Sequence, residues 1–492
     1  MTVFFNRVFP ITLGCLIFLL SANAQLMVSS KKEIEINASE SNPLIVSTGN
    51  NGIVLLTEGK ERSPASKKNI YLRFFDNRLA EKANLTFSVP FKESLVQHFS
   101  TDNYLVLVYN SLAKEEIHAF KIDLRNIETK QGTFYTLPQV RYYESVLLGE
   151  KFILAGVKGK KGILVQLDFD EGNAKLKHII EGSTPAFVQH MQIFNDKLYT
   201  SVKSSDSRDH NLYYQVLNNS NNAIDRGVVE APKHMKILEG KFAKGDKGGI
   251  SILGTYANKK SVHPLGIFQS DLGKSATFYH FSDIAKLGSL RLADKKQKAK
   301  RETTHYFKLN EIGLYKGKWM VLLEAYDIVQ DGKINNKVES LLRPNDNFLK
   351  MWPVNNMNYH DYNIHIFQKR MEEVAAYEFK GTYLFNLERD NVGVVDLEMD
   401  AGITHKSFGN LSSKINKNGE LNVVNKYNGD FRRLNLEGGH LFHYKKLVDR
   451  DGNHFNIKIG NAYFWKDNQY LFTTITNSNK DTKRITFYKI RG

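Results

Sequence analysis

One short string of the sequence combines side chains suited to metal binding. It reads Tyr359-His360-Asp361-Tyr362-Asn363-Ile364-His365. The two imidazoles and the carboxylate are ligand types for zinc and other divalent ions. Their spacing is not the H-E-x-x-H of zinc peptidases, and no further ligand is evident. Histidines that simply form hydrogen bonds in a loop are therefore the favoured interpretation, and we expect neither a metal nor another cofactor.

A second set of residues is suited to binding. The segment 282–303 has seven basic and three acidic residues, a net charge of +4, and it contains a basic run. The lysines of that run are Lys295, Lys296, Lys298 and Lys300. Such a run is typical of a solvated helix end or loop, or else of a patch that binds anions. Trp352, Tyr359, His360 and Tyr362 add rings that stack on sugars or fill a partner's pocket. These eight residues form the candidate binding site.

Carboxylates offer an enzymatic alternative. Glycoside hydrolases use two acids that flank the scissile bond, and Glu324 and Asp361 are candidates for such a pair. Glu324 also has the position of an ordinary acid at a strand end near solvent. Asp327, Asp331-Gly332 and Asp451-Gly452 have the residue types of turns. No nucleophile elbow, P-loop or dinucleotide-binding motif is present in the sequence.

The first 24 residues have the three parts of a secretory signal peptide. Arg7 supplies the positive start, Val8 to Leu20 the apolar stretch, and Ala22-Asn23-Ala24 the small-residue cleavage site. The apolar stretch is shorter than the roughly 20 residues that a membrane-spanning helix needs. We expect an exported protein, periplasmic or associated with the cell envelope, with no transmembrane segment in the mature chain.

Composition narrows the possible partners. Cys15 is the only cysteine and lies in the signal segment, so the mature chain would have no disulfide or thiolate ligand. The chain has a formal charge of +16 and a pI of about 9.4. A basic exported protein suits an envelope component, an anionic glycan or a protein, and nucleic acid is not expected outside the cell.

The elements that must position these residues follow a repeat. Eight polar turns recur, and five of their seven separations are 45 to 51 residues. The turns are Asn51-Gly52, Asp102-Asn103, Glu150-Lys151, Asn195-Asp196, Asp246-Lys247, Lys316-Gly317, Asn418-Gly419 and Asp467-Asn468. An apolar strand follows each turn, and then a polar loop and an alternating strand. This unit has the size and pattern of a four-stranded propeller blade.

The repeat predicts an all-β fold with a single β-propeller over residues 25–492. Eight blades fit the turns, with seven as the alternative. A pair of β-sandwiches or a β-solenoid remains a structural alternative. The last unit lacks a fourth strand, whereas Glu33-Ile34-Glu35-Ile36 alternates like a strand and has no unit of its own. We therefore predict that this N-terminal strand completes the last blade and closes the fold.

Two insertions interrupt the repeat. Residues 282–303 fall between blades 5 and 6, and residues 327–376 fall between the second and third strands of blade 6. Because neighbouring strands of a blade alternate in direction, both connections should leave the sheets on the same face. Insertions that gather on one face of a repeat fold often mark its binding face.

Two stretches carry a resemblance to a known family. Leu314–Tyr326 resembles a strand with a Gly-Glu-x-Tyr pattern that precedes a long aromatic loop in exported proteins of Bacteroidota. The stretch Ala376–Asp396 resembles their next strand. Leu323 and Val395 depart from the family, which favours Gly and Trp there. The resemblance covers about residues 310–400 and implies an exported, β-propeller-like protein, but the family has no established activity to carry over.

Two functions fit these observations. The favoured one is an exported, non-catalytic β-propeller that binds a ligand or protein partner in the cell envelope through its loop-rich face. The alternative is a hydrolase or lyase that acts on an acidic glycan. A second acid beside Glu324 or Asp361 in a deep cleft would favour the enzyme.

Overall fold

The computed structural model describes residues 26–491 apart from two long segments, 284–304 and 331–373, and several short ones. The short ones are residues 38, 61–65, 112–113, 159–160, 179–185, 205, 207, 221, 262, 389–390, 400–401, 405–410, 417, 426–430, 445–446, 449–453, 456–460, 467–468 and 478–481. The described residues form strands, beginning with β1 (Leu26–Asn37), and two 3-10 turns, Gly49–Asn51 and Phe281–Asp283.

Six sheets lie in one compact unit, Ser39–Asn410, and each has four antiparallel strands in chain order. We number these sheets as blades 1 to 6. Blade 1 contains β2 (Glu40–Ser47), β3 (Ile53–Gly59), β4 (Lys67–Phe75) and β5 (Glu81–Pro90). Blade 2 contains β6 (Ser94–Ser100), β7 (Tyr104–Asn110), β8 (Glu116–Asp123) and β9 (Thr129–Tyr135). Blade 3 contains β10 (Arg141–Leu148), β11 (Lys151–Lys158), β12 (Lys161–Asp168) and β13 (Asn173–His178).

The next three blades repeat the pattern. Blade 4 contains β14 (Ala186–Phe194), β15 (Lys197–Ser204), β16 (Leu212–Leu217) and β17 (Ala223–Val229). Blade 5 contains β18 (Met235–Lys244), β19 (Ile250–Asn258), β20 (Gly266–Asp271) and β21 (Thr277–His280). Blade 6 contains β22 (Tyr306–Tyr315), β23 (Lys318–Gln330), β24 (Val374–Glu388) and β25 (Asn391–Asp396), and β26 (Gly402–Thr404) also pairs with β24.

The other unit comprises Leu411–Gly492 together with the N-terminal segment up to Ala38. Blade 7 contains β27 (Leu411–Ile415), β28 (Glu420–Asn425), β29 (Phe431–Asn435) and β30 (Leu441–Tyr444). Blade 8 contains β33 (Asn461–Lys466), β34 (Gln469–Asn477), β35 (Thr482–Arg491) and β1. A short hairpin of β31 (Leu447–Val448) and β32 (His454–Phe455) extends blade 8 beyond β1.

These sheets define an all-β, eight-bladed β-propeller, so the fold predicted from the repeat is confirmed. The predicted turns fall between the first and second strands of the blades. The N-terminal strand also completes the last blade, because β1 pairs antiparallel with β35 from Met27↔Arg491 to Asn37↔Thr482. Among the described residues, no helix is long and apolar enough to cross a membrane.

The apolar core of the larger unit lies between successive blades. The second strands are buried almost throughout, as in β7, whose last six residues are all buried. Each layer of the core combines side chains of two neighbours: Leu56 and Leu107 join blades 1 and 2, and Val108 and Leu154 join blades 2 and 3. The layers continue in this way up to blades 5 and 6. A blade is thus a sheet with both faces covered, which explains why its second strand is continuously apolar.

Two edges of each blade are useful in describing the sites. We call the end of the blade that carries the tight turn between its first and second strands the hairpin edge. The opposite end of the blade, where the second strand ends and the third begins, is the insertion edge. In blade 6, the start of β22 and the end of β23 lie together at the insertion edge, because Tyr306 pairs with Tyr326. Described residues that flank the two predicted insertions along the chain, Tyr306 and Tyr326, therefore lie at this edge.

Replacing Ile36 with Asp should lower the free energy of unfolding by roughly 3 kcal/mol or more, because the carboxylate would be buried without a partner. The Ile36 side chain is 1% exposed. The urea midpoint of the protein measures the effect. Glu35→Gln is the control on the neighbouring residue of β1, and loss of its exposed ion pair with Arg484 should cost at most about 0.5 kcal/mol. An Ile36→Asp midpoint equal to that of the wild type would contradict a structural role for β1.

Candidate functional site

The first strands of five consecutive blades share a β-bulge at the same place. Pairing with the second strand skips one residue in each: Val96, Tyr143, Gln189, Leu238 and Asn310. The residue after each bulge is polar or charged: Gln97, Glu144, His190, Glu239 and Glu311. A bulge turns the local side chains relative to the rest of the strand. The repeat thus places a row of polar groups across blades 2 to 6.

Several of these side chains form hydrogen bonds with the next blade. The carboxylate of Glu144 lies 2.9 Å from His190 Nδ1, and its Oε1 also accepts the backbone N–H of Met191 at 2.9 Å. Glu239 Oε1 accepts the backbone N–H of Leu309 at 3.0 Å in the same manner. Each carboxylate thus accepts a backbone N–H of the next blade's first strand, close to the bulge of that strand.

The bulged residues themselves reach the next blade as well. The Tyr143 hydroxyl donates to the carbonyl of Val188 at 2.8 Å, and Gln189 Nε2 donates to the carbonyl of Leu238 at 2.8 Å. Blades 3 to 6 are therefore joined along their first strands by hydrogen bonds as well as by apolar packing.

Lys241 lies among the acids of this row. Burial lowers the pKa of its amine, whereas the charges of Glu239, Glu144 and Glu311 act to raise it. Its Nζ donates to the carbonyl of Asn310 at 3.3 Å. One ammonium group thus faces three carboxylates, so its charge is compensated within the protein.

A pocket of about 290 Å³ opens beside Lys241, on the hairpin-edge half of blades 4 to 6. Its apolar wall consists of Phe194, Phe242, Ala243, Ile312, Leu314 and Trp319, with Gly313 between them. Its polar lining consists of His190, Gln192, Lys241, Lys244, Asn310 and Glu311. A small cavity with an apolar wall and a few convergent polar groups is typical of a ligand site. We call it the hairpin-edge pocket.

The insertion edge carries a different set of groups. In blade 6, the rings of Tyr306 and Tyr326 stack with centroids 5.4 Å apart, and the His263 ring of blade 5 lies 4.9 Å from Tyr306. His305 Nδ1 is 2.8 Å from Asp327 Oδ1. His305 and Tyr306 follow the first predicted insertion along the chain, and Tyr326 and Asp327 lie at the start of the second, whereas His263 belongs to the neighbouring loop of blade 5.

Asp327 is the acid at the centre of this arrangement. Burial acts to raise its pKa, but the hydrogen bond from His305 and the charges of His305 and Lys380 outweigh burial and lower it. Lys380 Nζ lies 3.5 Å from Asp327 Oδ2. Asp327 is thus held as a carboxylate between His305 and Lys380, inside β23. The interpretation of Asp327 as a turn residue is wrong, because β23 and β24 stay paired as far as Gln330 and Val374.

Four basic side chains gather at the insertion edge of blades 4 and 5. They are Lys203, His210, Lys236 and Lys259, which we call the cation cluster. Their strands and loops are tied together: Ile237 N–H donates to the carbonyl of His210 at 2.9 Å, and Lys259 N–H donates to the carbonyl of His234 at 3.0 Å. The cluster therefore has a fixed frame that spans two blades.

The pKa values reflect the crowding of positive charge. Burial lowers the pKa of Lys203 to about 7, Lys236 acts in the same direction, and Asp209 acts against it. Burial also lowers the pKa of His210, and the charges of Lys259, Lys203 and Lys236 lower it further. Lys203 Nζ donates to the carbonyl of Asn211 at 2.8 Å. An amine that titrates near neutrality is characteristic of a binding or reactive position.

The eight residues of the predicted binding site lie outside the described residues. These are Lys295, Lys296, Lys298, Lys300, Trp352, Tyr359, His360 and Tyr362. Asp361 and His365 also lie outside them, so these assignments remain predictions. In the part of the chain that the structure describes, no three His, Cys, Asp or Glu side chains come together in a way that could hold a metal ion.

Glu324 is described, and its expected place near solvent is wrong. It lies within β23 between Lys308 and Thr382, with 4% of its surface exposed. Its Oε2 accepts a hydrogen bond from Asn310 Nδ2 at 3.0 Å. The carboxylate thus fixes the side chain of the bulged residue of blade 6, which is a structural role.

Sequence reasoning missed both the bulge row and the cation cluster. A signal for the row exists, since Gln97, Glu144, His190, Glu239 and Glu311 each precede a predicted turn by five to seven residues. The cation cluster has no comparable signal, because Lys203, Lys236 and Lys259 lie far apart in the sequence, in different loops and strands.

Comparisons with known proteins give remote structural likenesses only. No protein-family model matches the chain, and no curated protein matches it. Among solved structures, cobalt-substituted Synechocystis apocarotenoid oxygenase aligns over 49% of this chain and 64% of its own, with 10% identity and a TM-score of 0.30. One of two prolyl endopeptidases aligns over 90% of this chain and 55% of its own, with 10% identity and a TM-score of 0.40. Neither likeness bears on what this chain binds or catalyses.

The bond network of Glu144 can be tested by substitution. Glu144→Leu should lower the free energy of unfolding by about 2–4 kcal/mol, because the Met191 N–H and the His190 ring lose their acceptor. Glu144→Gln keeps an acceptor oxygen and should cost less than about 1 kcal/mol. Urea unfolding measures both variants. If the two cost the same, the negative charge matters rather than the hydrogen bonds.

Lys203 should make the stability depend on pH. The unfolded chain keeps this proton up to the ordinary pKa of 10.5, whereas the folded protein loses it near 7. In that window the unfolded state binds more protons, so the free energy of unfolding should rise with pH by at most about 1.4 kcal/mol per unit. Lys203→Met should remove this slope in urea unfolding at a series of pH values, and the exposed Lys260→Met should retain it. Identical slopes in the two variants would exclude a buried, neutral Lys203.

Proposed function

We propose that this chain is an exported, non-catalytic β-propeller that binds an anionic glycan of the cell envelope at the insertion edge of blades 4 to 6. Export rests on the signal-like segment 1–24 and on the resemblance of residues 310–400 to exported proteins of Bacteroidota. The binding role rests on the cation cluster, which is the single observation that carries the proposal.

The cation cluster brings several positive charges together. The charge of Lys236 lowers the pKa of Lys203, and the charges of Lys259, Lys203 and Lys236 lower the pKa of His210. Asp209 is the acid that acts against them on both groups. Gathering like charges costs free energy, and a bound anion offsets that cost. A carboxylated or sulfated polymer supplies several anions at the spacing of its sugar units, so it can engage such a cluster at more than one point.

The neighbouring rings favour a sugar as the carrier of the charge. His263 and Tyr306 are half-buried at the same edge, in blades 5 and 6. Aromatic rings pack on the apolar faces of sugars while lysines pair with their acidic groups. The basic run at 295–300 and the rings of 352–362 belong to the predicted insertions flanked by residues of this edge, which makes them candidates to extend the same surface.

The test is binding of the mature protein to alginate, a polyuronate, with the neutral glucan dextran for comparison. The double variant Lys236→Gln/Lys259→Gln should bind alginate at least about tenfold more weakly. The affinity of the wild type should fall as salt rises, since the Debye length is about 10 Å at 0.1 M. It should also fall from about pH 6 to about pH 8, because Lys203 loses its charge in that range.

The matched control is Lys197→Gln/Lys247→Gln, which removes two exposed lysines from the hairpin edge of the same two blades. This variant should bind alginate like the wild type. Equal loss in both double variants would mean that net charge alone drives binding. Binding to an acidic protein but to no polyanionic glycan would overturn the ligand class.

The basic run of the predicted insertion 282–303 is tested separately. Replacing Lys295, Lys296, Lys298 and Lys300 by Gln should weaken alginate binding without lowering the melting temperature, because a solvated run contributes little to the core. Undiminished binding by this variant would restrict the surface to the cation cluster.

A further inference from the structure

The hairpin-edge pocket lies at the opposite end of blades 4 to 6 from the cation cluster and differs from it in charge. Lys241 is balanced there by Glu144, Glu239 and Glu311. Of these charged groups, Lys241 and Glu311 line the pocket, and Lys244 lines it as well, so the lining holds charges of both signs. A ligand with a full negative charge would meet Glu311, and a ligand with a full positive charge would meet the two lysines. A neutral ligand with many hydrogen-bonding groups meets neither penalty.

His190 offers this pocket one defined hydrogen-bonding atom. Glu144 holds its Nδ1 at 2.9 Å, so the proton of the neutral ring belongs on Nδ1. The remaining ring nitrogen, Nε2, is then an acceptor for a ligand hydroxyl. The side chain is 19% exposed, which leaves it accessible from the pocket that it lines.

The other polar groups can both donate hydrogen bonds to ligand hydroxyls and accept hydrogen bonds from them. Gln192 brings an amide that donates and accepts, Lys241 is a donor, and Glu311 is an acceptor. The opposite wall is apolar, with Phe242, Ile312 and Trp319 among its members. A sugar ring has hydroxyls around its rim and C–H groups on its faces, so it matches both kinds of lining.

We infer that the hairpin-edge pocket is a second binding site, specific for one neutral monosaccharide-sized unit. The volume of about 290 Å³ is at the lower end of ligand pockets, which suits a single ring rather than an oligosaccharide. The site is separate from the proposed polyanion surface, because its groups come from the hairpin-edge half of the first strands.

Calorimetric titration of the mature protein with D-glucose, D-galactose and N-acetyl-D-glucosamine tests the site. At least one of these should bind with a Kd of roughly 1 mM or tighter, and the corresponding uronates should bind at least about tenfold more weakly. Gln192→Leu keeps the volume and removes the amide, so it should weaken the sugar by about tenfold. Gln192→Trp fills the pocket and should abolish binding.

Gln131→Leu is the control, since Gln131 is exposed on β9, far along the chain from the pocket. It should bind like the wild type, and thermal unfolding verifies that all three variants are folded. The inference is overturned if no neutral sugar binds at about 10 mM, tenfold above the expected Kd. It is also overturned if uronates bind more tightly than neutral sugars, or if both Gln192 variants bind like the wild type. Alginate binding should be unaffected by the Gln192 variants, which separates this result from the test of the cation cluster.

Discussion

The need to cover both faces of every blade governs the rest of the larger unit. A four-stranded sheet of this composition has an apolar second strand and cannot leave either face in water. Each layer of the core is accordingly shared by two successive blades, as Leu56 and Leu107 illustrate. Blade spacing, strand register and the positions of the loops all follow from that packing. In blade 8, the sheet is completed by β1, which supplies the strand that the C-terminal repeat lacks.

Polar contacts join the apolar packing along the first strands, close to their bulges. Side chains of one first strand accept backbone N–H groups of the next blade's first strand: Glu144 accepts from Met191, and Glu239 accepts from Leu309. The polar row is therefore part of the packing between blades. It also assembles the acids around Lys241 and orients His190, so the chemistry of the hairpin-edge pocket arises from a structural requirement.

The two edges of blades 4 to 6 differ in charge because different parts of the chain contribute their side chains. On the hairpin-edge side, acids contributed by successive bulges surround a single lysine. At the insertion edge, basic side chains from separate strands and loops come together, and Asp209 opposes their effect on Lys203 and His210. One propeller thus presents a charge-balanced pocket and a cationic surface, and these are suited to different ligands.

The sequence alone determined the blade count, the turns between first and second strands, and the closing role of Ile34 and Ile36. These follow from local signals, because alternation and turn chemistry act over a few residues and recur at a fixed period. The cation cluster and the surroundings of Glu324 were decided by tertiary structure. Lys203 and Lys236 are separated by a whole strand pair, and only the packing of blade 4 on blade 5 makes them neighbours. Glu324 has the sequence position of a strand-end acid, but β23 continues beyond it in pairing with β24, and that long-range pairing buries it.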